Sequence, residues 1–466
     1  MKEKTVKELT FELSQNQRTI SDLVVTYLEN IKSYDSHLNA ISELNPEVDN
    51  IIKELELSPK KSILHGIPIM IKDNIQTKDH MHTTANSYAL AEFFAPFDAT
   101  IVKKIRDAGM VLMGKTNLSE FAYFMSYDDM PSGYGSLNGQ VVNPYHKDID
   151  PLGSSTGSAV AVAADLIPIS IGTETNGSLM APAYKNSITS IKPSLGFVSR
   201  YGIIPISQFQ DTAGPMGKTV EDCAMLLDVI YGYDPNDPAT HICEHYQPKF
   251  LEATNKTVKN KTIGILNYKY KDFKYSDEDQ KIIDEAKHLF TSLGATVIDI
   301  DFELEDLKND ETLLNEFHHD IDLYFQSVKE SCPIESLDQL IRFNKLYEDR
   351  CLKYGQSIFT AALKTSGDLN DYVYKKVKAE QMKLASKLEK TMKAYHLDAA
   401  ISTIRNSYAP IYGSPTISVP AKALTDLNPI SLVFFGKKYD DENLITIAHH
   451  YEIHTKHRIP PKMIKG

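Results

Sequence analysis

Two stretches rich in Gly and Ser hold the hydroxyls best placed by sequence to do chemistry: Gly153-Ser154-Ser155-Thr156-Gly157-Ser158 and Gly172-Thr173-Glu174-Thr175-Asn176-Gly177-Ser178. Between them lie the apolar run Ala159-Val160-Ala161-Val162-Ala163-Ala164 and the short Ile169-Ser170-Ile171. This order reads as loop, buried helix, buried strand and second loop, an arrangement that can return Ser154 and Ser178 to one wall although 24 positions separate them. A serine hydroxyl is a weak nucleophile at its own pKa, so such a wall implies chemistry only with a base and with backbone N–H groups able to hold an oxyanion. Lys72 is the candidate base. It closes the apolar run His65-Gly66-Ile67-Pro68-Ile69-Met70-Ile71, which reads as a buried strand ending in the cation and carboxylate of Lys72-Asp73. A strand-end lysine is also an ordinary surface feature, and the lack of another obvious base for the serines favours the chemical reading.

The elements that must position these groups follow from the pattern of apolar residues. Residues 3–13 and 20–33 have helical spacing, the second capped by Thr19 or Ser21. A helix beginning near Ala99 leads to the strand Met110-Val111-Leu112-Met113, and an amphipathic helix over 218–231 is capped by Thr219 with Asp222 three residues on. Residues 235–262 turn polar and read as a surface connection. Ile263-Gly264-Ile265-Leu266, a helix over 278–293 and Thr296-Val297-Ile298-Asp299-Ile300 make a β-α-β unit, which predicts parallel pairing. Charged helices fill 305–395 with breaks near Pro333 and Gly355, and the strands Thr416–Val419 and Ile430–Phe435 close the sheet.

Several other patterns are weaker than they look. Gly109-Met110-Val111-Leu112-Met113-Gly114-Lys115-Thr116 matches a phosphate loop, but a strand occupies the positions where a flexible loop is needed. Gly153-Ser154-Ser155-Thr156-Gly157 matches the G-x-S-x-G elbow, yet the preceding residues are polar, carry Pro144 and Pro151, and do not form the required strand. His318-His319 point about 100° apart on a helix, and His450 with His454 lacks the Glu that a zincin places after its first His, so neither pair reads as a metal site. Cys223, Cys243, Cys332 and Cys351 are too widely spaced for a zinc site or disulfide framework. The 466 residues are 42% hydrophobic with a net charge of −12, which fits a globular chain and disfavours nucleic acid as a partner. No apolar run suits a signal peptide or a membrane span, which makes the cytoplasm the expected compartment. No cofactor is expected.

Over residues 5–460 the chain resembles the amidase signature hydrolases, most of all their peptide-amidase branch. The resemblance is carried by Leu64-His65-Gly66-Ile67-Pro68 with Lys72-Asp73-Asn74, by Gly114-Lys115-Thr116-Asn117-Leu118-Ser119-Glu120, and by Gly172-Thr173-Glu174-Thr175. It implies one large α/β/α domain over 1–466, with a central mixed, largely parallel twisted sheet covered by helices on both faces. Within it, 1–60 would be N-terminal helices, 61–235 the signature core, 236–262 the surface connection, and 263–466 the remaining β-α elements, the helical pocket cover and the closing strands. It also implies a Ser-cisSer-Lys triad of Ser178 as nucleophile, Ser154 as bridge after a cis peptide from Gly153, and Lys72 as base. The oxyanion would be held by the backbone of Thr175, Asn176 and Gly177, and substrate by Met125, Ser155 and Met180. The implied reaction is hydrolysis of an amide carbon–nitrogen bond through an acyl-enzyme.

Asn176 and Met180 depart from the family pattern, which more often has Gly or Asp and Arg there. Without a cation at position 180, a buried substrate carboxylate is disfavoured, so the expected substrate is a neutral, partly apolar small-molecule or peptide amide. Arg200 or Lys185 are the residues that could restore a cation. An amidotransferase component working with a partner and a non-catalytic binding protein on the same fold are the alternative readings, and a homodimer is compatible with the sequence.

Overall fold

The computed structural model describes residues 3–270, 273–421 and 429–462. Its eleven-stranded sheet comprises β1 (Ile41–Leu44), β2 (Pro68–Lys72), β3 (Val111–Thr116), β4 (Ile169–Glu174), β5 (Thr189–Lys192), β6 (Thr212–Gly217), β7 (Thr262–Lys269), β8 (Thr296–Glu303), β9 (Ala399–Ser402), β10 (Thr416–Pro420) and β11 (Ser431–Phe435). The spatial order is β1-β3-β2-β4-β6-β5-β10-β11-β9-β7-β8. Parallel pairing occurs in two blocks, β3-β2-β4 and β9-β7-β8. In the second, β7 and β8 pair from Thr262 opposite Thr296 to Lys269 opposite Glu303, as a β-α-β unit requires. From β4 to β9 every ladder is antiparallel. The β-α-β pattern therefore describes the two blocks and not the centre, where the 193–211 connection joins neighbouring strands without a packed crossover helix.

Nine helices matter for the argument: α1 (Val6–Ser14), α2 (Ile20–Leu38), α3 (Thr156–Ala163), α4 (Met180–Lys185), α5 (Val220–Ile230), α6 (Asp277–Ser292), α7 (Asn309–Val328), α8 (Tyr372–Ala394) and α9 (Asp441–Thr455). The glycines of β6 locate the layers. A Cβ on Gly214 would meet Leu179 beside α4, whereas one on Gly217, three positions on, would meet Cys223 in α5. Alternate faces of a strand thus carry α3 with α4 and α5 with α9. Every residue of α3 is buried, in keeping with its all-round apolar sequence.

The helix starts follow the expected caps with one difference. Thr19, not Ser21, caps α2, in a capping box with Asp22. At α5, Thr219 accepts the Asp222 N–H at 3.0 Å, but the Asp222 carboxylate turns away to accept the Lys7 N–H in the first turn of α1 at 3.2 Å. Residues 236–262 are not a simple surface connection. Phe250 is fully buried against Phe197 and Tyr231, with ring centroids 6.2 and 5.6 Å away, and Asp237 forms an ion pair with Arg200. A few anchors in a polar stretch carry this packing, so composition alone hides it. The chain also closes on itself: Arg458 pairs with Glu3 at 2.7 Å and donates to the carbonyls of Ser187 and Ala163 at 2.6 and 3.3 Å. No described helix is long and apolar enough to cross a membrane, and all four cysteines are free and buried.

Gly157 shows how tightly α3 is seated. A Cβ there would collide with the Ala40 carbonyl oxygen and fall 2.5 Å from that of Asn117, both backbone atoms that cannot swing aside. In an exposed helix Gly→Ala stabilises by about 1 kcal/mol. Here Gly157→Ala is expected to destabilise by about 1–3 kcal/mol, read as a lower midpoint in chemical denaturation; an unchanged or higher midpoint would contradict this packing.

Candidate active site

Lys72 ends β2, which lies between β3 and β4 in the interior of the sheet, so its side chain has no route to water and is fully buried. Its Nζ meets only oxygen: Ser154 Oγ at 2.7 Å, Thr173 Oγ1 at 2.8 Å, Ser155 Oγ at 3.1 Å and the Thr173 carbonyl at 3.4 Å. Burial pulls the amine down to about 7, and the carboxylates of Asp211 and Glu174 oppose that shift. Asn74 donates to Thr173 Oγ1 at 3.1 Å and so fixes the hydroxyl that Lys72 leans on.

The first serine stretch is loop only from Gly153 to Ser155, with no strand before it, and its last three residues already belong to α3. The Gly153–Ser154 peptide is cis. Gly153 is needed for close approach, since a Cβ would lie 2.5 Å from Ser119 Oγ, and the Ser154 carbonyl accepts the Ser119 N–H at 3.1 Å. Ser155, expected to touch substrate, is committed elsewhere. It donates to the Thr173 carbonyl at 2.9 Å and accepts from the Thr173 N–H and Lys72, both at 3.1 Å, which uses its one donor and both lone pairs. Its backbone N–H donates to the Ser178 carbonyl at 3.2 Å and ties the two serine stretches together.

The second stretch is more ordered than its composition suggests. Strand β4 continues through Gly172, Thr173 and Glu174, which pair with Gly214, Ala213 and Thr212, so the loop begins at Thr175 rather than Gly172. Glu174 spans it by accepting the N–H groups of Leu179 at 2.8 Å and Met180 at 3.1 Å. Thr175 donates to Asp211 at 2.5 Å, and Asn176 donates to Ser407 at 3.1 Å. Asp211 also accepts the N–H groups of Ile206 and Ser207, yet burial still pushes its carboxyl up to about 6. Gly177 has φ +86°, and a Cβ there would collide with Arg405 Nη1. Among the described residues the N–H groups of Thr175, Asn176, Gly177 and Ser178 find no internal acceptor, and the half-buried Ser178 hydroxyl finds no partner.

Two cavities of about 320 Å³ each flank this loop, and Glu174 borders both. The first reaches Asn74, Thr173 and Thr175 and is walled by Phe97, Tyr201 and Ile203. Arg200 borders it but is engaged with Asp237 through Nε at 2.9 Å and through Nη2. The second is lined by Asn176, Gly177, Met180, Arg405 and Thr416. Met180 therefore lines the second cavity. Met125 lines neither of the two: it packs in the apolar cluster with Phe121, Phe317 and Phe359, and its carbonyl accepts the N–H of Ile358 at 3.1 Å. The groups that sequence reasoning missed are Thr173, Asn74 and Arg405. The first two lie in recognised stretches, but only the fold turns their side chains to Lys72; Arg405 sits in a polar turn with no periodic signal.

Neither histidine pair forms a metal cluster: His318 bonds Thr365, His319 bonds Asp320, and no described group of three His, Cys, Asp or Glu could hold a metal. Lys115 lies in β3 and donates to the Ile75 carbonyl at 2.7 Å, so the phosphate-loop match is strand.

The model of one protein family, Amidase, matches residues 22–410. The chain belongs to this amidase signature family of hydrolases. It is similar to the native peptide amidase from Stenotrophomonas maltophilia, at 34% identity and a TM-score of 0.92 over 99% of each chain. An Arabidopsis thaliana protein named as a probable amidase is 35% identical over 482 residues, covering all of this chain and 92% of its relative. The A component of the glutamyl-tRNA(Gln) amidotransferase of Legionella pneumophila is 32% identical over 87% of this chain and 86% of its own length.

The buried amine has a thermodynamic signature. Between about 7 in the fold and the ordinary lysine value of 10.5, the unfolded chain carries one more proton at Lys72 than the folded one, so stability rises with pH in that window. Relative to Lys72→Met, the wild type should gain about 1.4 kcal/mol of unfolding free energy per pH unit between roughly pH 7 and 10. Parallel stability curves for the two proteins would show that Lys72 is not held neutral.

Proposed function

We propose that the protein hydrolyses the carbon–nitrogen bond of a carboxamide through an acyl-enzyme, with Ser178 as nucleophile, Ser154 as relay and Lys72 as base. The observation that carries this reading is the 2.7 Å contact of a fully buried Lys72 amine with Ser154, beside a loop whose four N–H groups have no internal acceptor among the described residues. Neutral Lys72 has two N–H donors and one lone pair. Ser155 spends its own proton on the Thr173 carbonyl and so can only accept an N–H from Lys72, and Thr173 Oγ1, which accepts from Asn74, has a second lone pair for the other N–H. The lone pair is left for the proton of Ser154.

In this reading Ser178 Oγ attacks the carbonyl carbon as its proton passes to Ser154 and that of Ser154 passes to Lys72. The carbonyl oxygen gains charge where the N–H groups of Thr175, Asn176 and Gly177 can donate to it, and such preorganised donors are often the largest single contribution to catalysis. Collapse expels the amine, which takes the proton back through Ser154. Water then attacks the acyl-enzyme by the same relay and restores Ser178. The first cavity supports a neutral, partly apolar group as the part of the substrate it receives. Its walls include Phe97, Tyr201 and Ile203, and its one guanidinium, Arg200, is already paired.

Ser178→Ala should lower kcat/KM by roughly four orders of magnitude or more, and a sulfonyl fluoride should label Ser178 and leave Ser155 untouched in peptide mapping. Appreciable turnover by the variant, or an adduct on Ser155, would remove Ser178 from the mechanism. Because the base acts only when neutral, kcat/KM should climb through about pH 7 and level off above it. A profile flat from pH 5 to 9 would point to a base other than Lys72.

A further inference from the structure

The second cavity holds two polar groups that the reaction above does not use. Arg405 is exposed and forms no ion pair or hydrogen bond among the described residues, and its guanidinium lies over Gly177. Thr416, in β10, is 2% exposed and its hydroxyl has no partner among the described residues. Both line the same space beside Asn176, Gly177 and Met180. The neighbouring polar groups are occupied. Asn406 donates to the Tyr268 hydroxyl at 2.8 Å and accepts the Tyr408 N–H at 3.0 Å, Ser407 accepts from Asn176, and Glu174 is held by two backbone N–H groups.

We infer that Arg405 forms a carboxylate-accepting subsite, and that the preferred substrates are amides carrying a free carboxylate that enters the second cavity while a neutral part of the molecule occupies the first. The inference rests on the reading of the Thr175–Ser178 loop as the reacting centre. A guanidinium offers two parallel N–H donors that match a carboxylate. The cation missing at position 180 is thus supplied across the cavity from position 405, not by Arg200, which is paired with Asp237. The carboxylate can belong to the acyl part, as in the half-amide of a dicarboxylic acid, or to the leaving amine, as in an N-acyl amino acid.

The test compares three matched amides: a neutral one, one with a carboxylate on the acyl part, and one with a carboxylate on the leaving amine. One carboxylate-bearing member should exceed the neutral amide in kcat/KM by about tenfold or more, and which member does so identifies the side of the scissile bond that faces Arg405. Arg405→Gln should erase that advantage mainly through KM, and Arg405→Glu should turn it into discrimination against the carboxylate. No preference in the wild type, or a preference that survives Arg405→Gln, overturns the inference. Calorimetric binding of the same amides to Ser178→Ala, with and without Arg405→Gln, reads the subsite independently of turnover. If no amide is hydrolysed yet the carboxylate still binds about tenfold tighter through Arg405, the proposed reaction fails and the subsite stands; equal binding with and without Arg405 removes the subsite whatever the enzyme turns over.

Discussion

An amine sealed from water must either give up its charge or be surrounded by oxygen, and Lys72 is held between those two demands. Its place at the end of an interior strand removes solvent, while two serines and Thr173 supply the oxygen. Much of the surrounding structure serves this one group. Asn74 orients the Thr173 hydroxyl, and Ser155 clamps the Thr173 backbone through both its N–H and its C=O. The parallel block β3-β2-β4 keeps Lys72 and Thr173 side by side. Ser155 is best understood as part of this mounting rather than as a contact for ligand.

The same economy governs the loop after β4. A loop with four unpaired N–H groups would be unstable if nothing else held it, because backbone donors away from water normally find acceptors. Here side chains hold the loop from outside and leave the donors open. Glu174 ties its far end, Asp211 takes Thr175, and Asn176 reaches Ser407. Side chains thus anchor the loop while its backbone donors have no acceptor among the described residues. The two cavities share Glu174 as a common border, so the residue whose carboxylate ties the loop also lines both pockets.

The parts legible in the sequence are those set by local pattern. The apolar helix between the serine stretches, the strand ending at Lys72 and the β-α-β unit of β7, α6 and β8 all depend on residue periodicity over short spans. The antiparallel centre is not legible, because pairing of β5 with β10 joins segments more than 200 positions apart and no local pattern encodes it. Glu174 reads as loop because Gly and Thr surround it, yet the ladder to Thr212 keeps it in strand. Arg405 gives no signal at all: a single charged residue in a turn reads as solvated surface until the fold brings it over Gly177. The expectation that Met125 touches substrate comes from the family resemblance alone, and the fold packs it with Phe121, Phe317 and Phe359.

Arg458 gives the protein a constraint in time as well as in space. Its guanidinium caps the carbonyl of Ala163 at the end of α3 and that of Ser187 just beyond α4, the two helices that follow the serine stretches, and it is held there by Glu3. A ribosome delivers residues 72 to 178 long before residue 458, so during synthesis the helices behind both serines wait without their final cap. The nascent chain can assemble its serine stretches early, but the frame behind them closes only once residue 458 has emerged.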